Sequence, residues 1–530
     1  MDSSSFSVGG SGDTAGSLTA STRSAGIQGG DGNDAIQNDG DIVVRANSDL
    51  QNSGHVSNDL GGGTSASGEV VATLSARGID GGAGNDWIAN NGTIDVKGTV
   101  SASSTHSTSS GFFFGGGTSI AQARAGLTAI GIDAGEGNNT VLSTKSIAVE
   151  LSGSVSTQTS ADGSTLGFDG DANGFSQTAL SATAVGIAAG DGANQITNTG
   201  SIAVKTWRPV DLLDITLEVP LQATAGGHAE GHGFRSATEF ANARTTVFAA
   251  GISAGNGANA IRNEGSIDVD LRASASANAS SDAGGAGIGD GASHADSAIF
   301  ARAVGITVGD GANQITNTGS IKVQTSLAAT ADSLAVGHLT GDADSLSTAK
   351  ITAFAAGIDA GNGSNTIRNE GTLDVALGAA ARTSTFSDAG STGSNFDFQE
   401  ARVTAQGYGI HAGSGNNTVV NKGTINVTVT GTASINFASC NCTASVAASA
   451  IGIATGAGND TIVNEGKITA TKIVNGVSSP GIAISSGAGD DTVTLKNGSV
   501  TNGTIDLGTG NNRLVLEGTP VINGTILDGS

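Results

Sequence analysis

The chain has 530 residues, of which 84 are glycine, 4 proline, 1 methionine and only 3% aromatic. So few large side chains exclude a thick globular core and leave a thin one, repeated many times and held by backbone hydrogen bonds. The formal charge of −24 repels phosphate backbones, which argues against nucleic-acid binding, and offers no basic patch to an anionic membrane.

No run of about 18 apolar residues occurs, so no transmembrane helix and no membrane insertion of this segment are expected. Met1-Asp2-Ser3-Ser4-Ser5 lacks the basic start and apolar stretch of a signal peptide. The expectation is an export signal that is removed or lies outside this sequence.

A 19-residue pattern, G-I-x-x-G-x-G-x-[ND]-x-[IV]-x-N-x-G-x-I-x-V, organises the chain. It begins at Gly26, Gly78, Gly131, Gly186, Gly251, Gly305, Gly357, Gly409 and Gly452. In the copy at Gly251, Ile252, Ile261, Ile267 and Val269 are apolar and their neighbours small or polar. Period 2 argues for strands rather than helix. Gly255, Gly257 and Gly265 punctuate it with turns. Each copy therefore reads as three strands of about three to five residues, one rung of a parallel β-helix.

Read this way, the variable stretch after each copy is a second rung. Residues 1–451 become two-rung units of about 52 residues, and residues 452–530 become shorter-period C-terminal rungs. The predicted fold is all-β: a single elongated right-handed parallel β-helix of about 20 rungs, on the order of 100 Å long. Leu514, Leu516, Val521, Ile522, Ile526 and Leu527 read as its best-packed end. The variable stretches exceed one rung, which predicts Gly-rich side loops at Phe112–Phe114, at Phe168, and at Phe396 and Phe398. The longest spacing places the largest excursion at about residues 205–240, which carry Trp207, Arg208, Pro209 and Pro220.

Asn38, Asn90, Asn198, Asn263, Asn317, Asn369, Asn421 and Asn464 occupy one position of the pattern, with Ser143 in the remaining copy. Asparagine tolerates sharp bends, and its amide bonds to copies above and below, so these predict a structural ladder. Four residues earlier the pattern holds Asp34, Asp86 and Asp460, with Asn elsewhere. Gly29–Gln37 and Gly81–Ala89 match a calcium-binding nonapeptide; Asp31, Asp490 and Asp491 complete the candidate carboxylates. The two matches lie far apart in sequence, and neutral Asn lacks the charge that holds Ca²⁺. Turn capping is the favoured reading, calcium the alternative, and no other cofactor is expected.

Cys440-Asn441-Cys442 reads as a pair of loop thiols or a small disulfide ring, without further metal ligands nearby. His228-Ala229-Glu230-Gly231-His232 is not H-E-x-x-H and reads as a solvated turn. No cluster of carboxylates with Arg or Lys stands out as catalytic, so the chain reads as a non-enzyme.

The repeat, and especially Gly487–Val493 followed by Asn502–Asn512, resembles the passenger domains of autotransporters and related large bacterial surface proteins. The resemblance implies a right-handed β-helix exported across an outer membrane by a C-terminal barrel that this sequence lacks. A close cysteine pair is similar to those in that class. The expected function is a non-enzymatic extracellular surface protein, an adhesin or stalk of a Gram-negative-type bacterium, with a cell-surface or glycan ligand. The alternatives are self-association into a filament or biofilm matrix, and a polysaccharide-degrading β-helix enzyme. Function should sit in the variable stretches, because the fixed positions are those that stacking requires.

Overall fold

The computed structural model describes residues 2–7, 11–58, 62–110, 115–163, 170–212, 215–232, 236–283, 289–338, 340–436 and 441–529. These residues form strands and turns, with no helix among them. They build a parallel β-helix with three sheets. Each coil gives one strand to each sheet: a long one such as Ile94–Ser110, a second long one such as Gly117–Asp133, and a short one such as Thr140–Ser143. The first and second sheets stack twelve such strands and the third eleven.

One repeat unit is therefore one coil. Ile94, Ile147, Ile202, Ile267, Ile321, Leu373, Ile425 and Ile468 pair in unbroken register down the first sheet. This corrects the two-rung units of residues 1–451 and the count of about 20 rungs. Twelve coils at one strand spacing each span roughly 50 Å.

The variable stretches do not coil a second time; they lengthen two strands. Ser266–Asp282 runs for 17 residues. Within it Ala273, Ala275, Ala277 and Ala279 are buried, while Ser274, Ser276, Asn278 and Ser280 alternate with them on the outside. Alanines of the facing second-sheet strand, Ala241 and Ala243, join the same core. Side chains this small let two sheets close on each other, which is the thin core the composition demands. Larger aliphatics gather at the third sheet, where Ile196, Ile261, Ile315 and Ile367 stack.

Close approach between coils dictates glycine at two positions. A Cβ on Gly131 would stand 2.3 Å from Ile147 Cγ2 and 2.5 Å from the Gly186 carbonyl oxygen. Gly84 lies at φ +138°, and a Cβ there would stand 1.8 Å from the Gly32 carbonyl oxygen.

The coils shorten toward the C-terminal end, where stacked partners lie 43, then 31, then 21 residues apart. Leu516, Val521, Ile526 and Leu527 are about half exposed, so the expectation of a best-packed end is corrected. Their strands run only two to four residues and cover little of one another. Phe396 and Phe398 lie in the strand Asn395–His411 rather than in a side loop. Phe112–Phe114 and Phe168 lie outside the described residues.

Candidate ligand-binding groove

The excursion expected at 205–240 is a hairpin. Trp207–Leu212 pairs antiparallel with the start of Ile215–Gly231, matching Trp207 with Pro220 and Leu212 with Ile215. In the preceding coil Glu150 pairs with Lys205 and Ser154 with Gln222. Residues 206–221 are thus inserted where the neighbouring coil has only 151–153, and the strand resumes in register after them.

Its root is fastened to the outside of the first sheet. Trp207 is 9% exposed, and its Nε1–H donates to Asp270 Oδ2 at 2.7 Å. Arg272 Nη2 donates to the same oxygen at 3.1 Å and Arg272 Nε to Oδ1 at 3.2 Å. The Arg272 guanidinium also lies over the Trp207 ring at 4.4 Å, with Lys205 Nζ at 5.0 Å from it. Thr206 closes the joint: the Arg272 amide donates to its hydroxyl at 2.8 Å. Burial raises the Asp270 carboxyl above the usual range; the Trp207 hydrogen bond opposes this, Asp268 adds to it, and Lys205 and Lys322 counter it. Burial lowers the Arg272 guanidinium.

Beside this joint runs a groove of about 410 Å³. Its floor follows two register rows down four coils: Asp270, Gln324, Ala376 and Thr428, and Arg272, Ser326, Gly378 and Thr430. Three coil spacings make it roughly 15 Å long, parallel to the stacking axis. One end is the Asp270 carboxylate and the Arg272 guanidinium, which Trp207 braces. The rest is a low floor of hydroxyls, an amide, alanine and glycine. Such a surface presents donors and acceptors to a long polar ligand without enclosing it.

The excursion was visible in the spacing of the repeat. Asp270, Arg272, Gln324 and Ser326 were not, because only single-coil units place them together.

The predicted asparagine column forms an unexposed chain of hydrogen bonds. Nδ2 of Asn38 donates to Asn90 Oδ1, and Asn198, Asn263, Asn317, Asn369 and Asn421 each donate to the next, at 2.8–2.9 Å. Asn90 reaches Ser143 at 3.4 Å and Asn464 reaches Thr501 at 3.3 Å. Of the candidate calcium carboxylates, Asp31 and Asp490 are exposed. Asp34, Asp86, Asp460 and Asp491 line an inner column of the turns. Gly30 pairs with Gly82, so the two nonapeptide-like turns, distant in sequence, lie directly on each other. Burial pushes the Asp460 carboxyl up.

His228 and Glu230 lie on the strand Ile215–Gly231, paired with coils on both sides, rather than on a solvated turn. His232 Nε2 stands 3.1 Å from Glu230 Oε1. Among the described residues no group of three or more His, Cys, Asp or Glu is arranged to hold a metal. Cys442 is disulfide-bonded; Cys440, the chain's other cysteine, lies outside the described residues.

The second sheet carries the other aromatic concentration. Phe175 stacks on Phe240 with ring centroids 5.3 Å apart, and the Arg302 guanidinium lies 5.7 Å from the Phe248 ring and 5.2 Å from that of Phe354. These rings stack from coil to coil along the outside of the sheet and leave Phe175, Phe240 and Phe300 about 40% exposed. Comparison with protein-family models, curated proteins and solved structures found no match. The functional reading rests on the geometry.

Proposed function

We propose that this chain is a non-enzymatic extracellular surface β-helix, an adhesin or stalk, that binds an extended glycan along the groove at the hairpin root. The observation that carries the reading is the groove itself: Asp270 and Arg272, braced by Trp207, close one end of a hydroxyl-lined floor that crosses four coils. An extended saccharide offers ring faces and closely spaced hydroxyls to such a surface. Asp270 accepts hydrogen bonds at both oxygens, which suits a fixed binding wall better than a general acid. A disulfide at Cys442 fits an oxidising, extracellular setting.

Ser326 is exposed on the groove floor. Ser326→Trp should fill the groove and weaken glycan binding by roughly tenfold or more, with the melting temperature unchanged. A glycan array followed by calorimetry checks this; no glycan bound by the native chain, or equal affinity for the variant, removes the proposal. The raised carboxyl of Asp270 beside Asp268 favours a second reading, a glycan-cleaving enzyme. Release of reducing or unsaturated ends from a bound glycan would replace binding with catalysis.

A further inference from the structure

The inner turn column reads Asp34, Asp86, Asn139, Asn194, Asn259, Asn313, Asn365, Asn417, Asp460, Asp491 and Asn512. Each backbone N–H donates to Oδ1 of the residue on the next coil, at 2.7–3.3 Å. In the six consecutive asparagine copies, Nδ2 also donates inward to the carbonyls of the two turn glycines. Asn139 reaches Gly135 at 2.9 Å and Gly137 at 3.3 Å; Asn417 reaches Gly413 and Gly415 at 2.8 Å each.

An aspartate in this column keeps the Oδ1 bond, so its Oδ2 stands where the amide nitrogen stands in the other copies. The glycine carbonyls that accept from Nδ2 in the asparagine copies have no such donor here, and beside Asp460 the Thr455 side chain bonds to the carboxyl. Oδ2 of Asp34, Asp86, Asp460 and Asp491 is buried without a hydrogen-bond partner. Asp86, Asp460 and Asp491 are only 1–2% exposed. Buried carboxylate oxygens left without a donor call for a positive charge or a proton beside them.

The distribution of the aspartates separates these two. They occur as stacked couples, Asp34 on Asp86 and Asp460 on Asp491, at either end of the asparagine run. A single proton satisfies a single aspartate and needs no couple. Two carboxylates neutralise a divalent cation, which a couple supplies. Equivalent oxygens on adjacent coils lie roughly 4.8 Å apart. A cation midway sits about 2.4 Å from each, within the 2.3–2.6 Å range of calcium and beyond the 2.0–2.1 Å of magnesium. The turn carbonyls supply the remaining oxygens.

We infer that each stacked aspartate couple binds one divalent cation of calcium's size between adjacent coils, through both carboxylates and the turn glycine carbonyls. The test is calorimetry and thermal melting of the chelator-treated chain titrated with calcium chloride. The native chain should take up one ion per couple and melt higher with calcium, less so with magnesium. Asp460→Asn combined with Asp491→Asn recreates the asparagine copies, so it should fold, lose one of the two sites and keep the other. Absence of binding heat and of any melting shift with calcium overturns the inference. So does unchanged calcium stoichiometry in a double variant that keeps the native circular dichroism.

Discussion

Glu239 shows how one side chain can set the pH response of a repeat. It lies on the second sheet with its side chain inward, 0% exposed. Thr159 donates to its Oε1 at 2.8 Å, and its Oε2 has no hydrogen-bond partner. Room for it exists because the flanking positions are Gly174 and Gly227, where a Cβ would stand 1.7 Å and 2.0 Å from its carboxyl oxygens. Burial pushes the carboxyl up to about 8, against the Thr159 hydrogen bond. A raised carboxyl means that the folded chain holds a proton the unfolded chain releases. Its contribution is therefore complete below the ordinary carboxylate range and is lost as pH rises to about 8. At pH 9 the loss is on the order of 4 kcal/mol. Glu239→Gln should flatten this fall and melt above the native chain at pH 9; equal melting of the two across pH 5 to 9 would count against a buried neutral Glu239. Nothing in the sequence singled Glu239 out, because its partner across the core, Thr159, comes from a first-sheet strand 80 residues earlier. The asparagine column was legible, since its positions recur at a fixed offset and the ladder links like to like.

At the scale of elements, the short strands were readable and the long ones were not. Ile261, Ile315 and Ile367 announce themselves by size. The Ala–Ser alternation of Ala273–Ser280 has the same period but little hydrophobic contrast, so it resembles a connecting stretch. The hairpin at Trp207–Pro220 opens a first-sheet strand, and Trp207 is its fastening. Removing that ring takes one donor from Asp270 and the stacking face from Arg272, which stay paired with each other. Trp207→Ala should leave the coils intact while the Thr206 and Arg272 amides, which bond across the hairpin root, exchange hydrogen faster. Exchange confined to native rates at these amides would show that the hairpin is held by something other than Trp207.

At the scale of the whole molecule, every site described here follows from one unit making one coil. That relation stacks Arg272 beside Ser326 and Gly378, and Asp460 on Asp491. The class of fold was evident from the period, but the number of coils was not. A repeat length of about 52 residues is compatible with two short rungs or one long one, and only the depth of the core decides. Small alanines and serines make that core thin and the coil wide. Ser201 and Lys467 are exposed on one register column of the first sheet, linked through Ser266, Ser320, Thr372 and Thr424. Five coil spacings separate them. Spin labels placed at these two residues should show an electron–electron distance centred at roughly 25 Å, five strand spacings. A distance near 50 Å, as two rungs per unit require, would contradict the single-coil repeat and with it the groove and the aspartate couples.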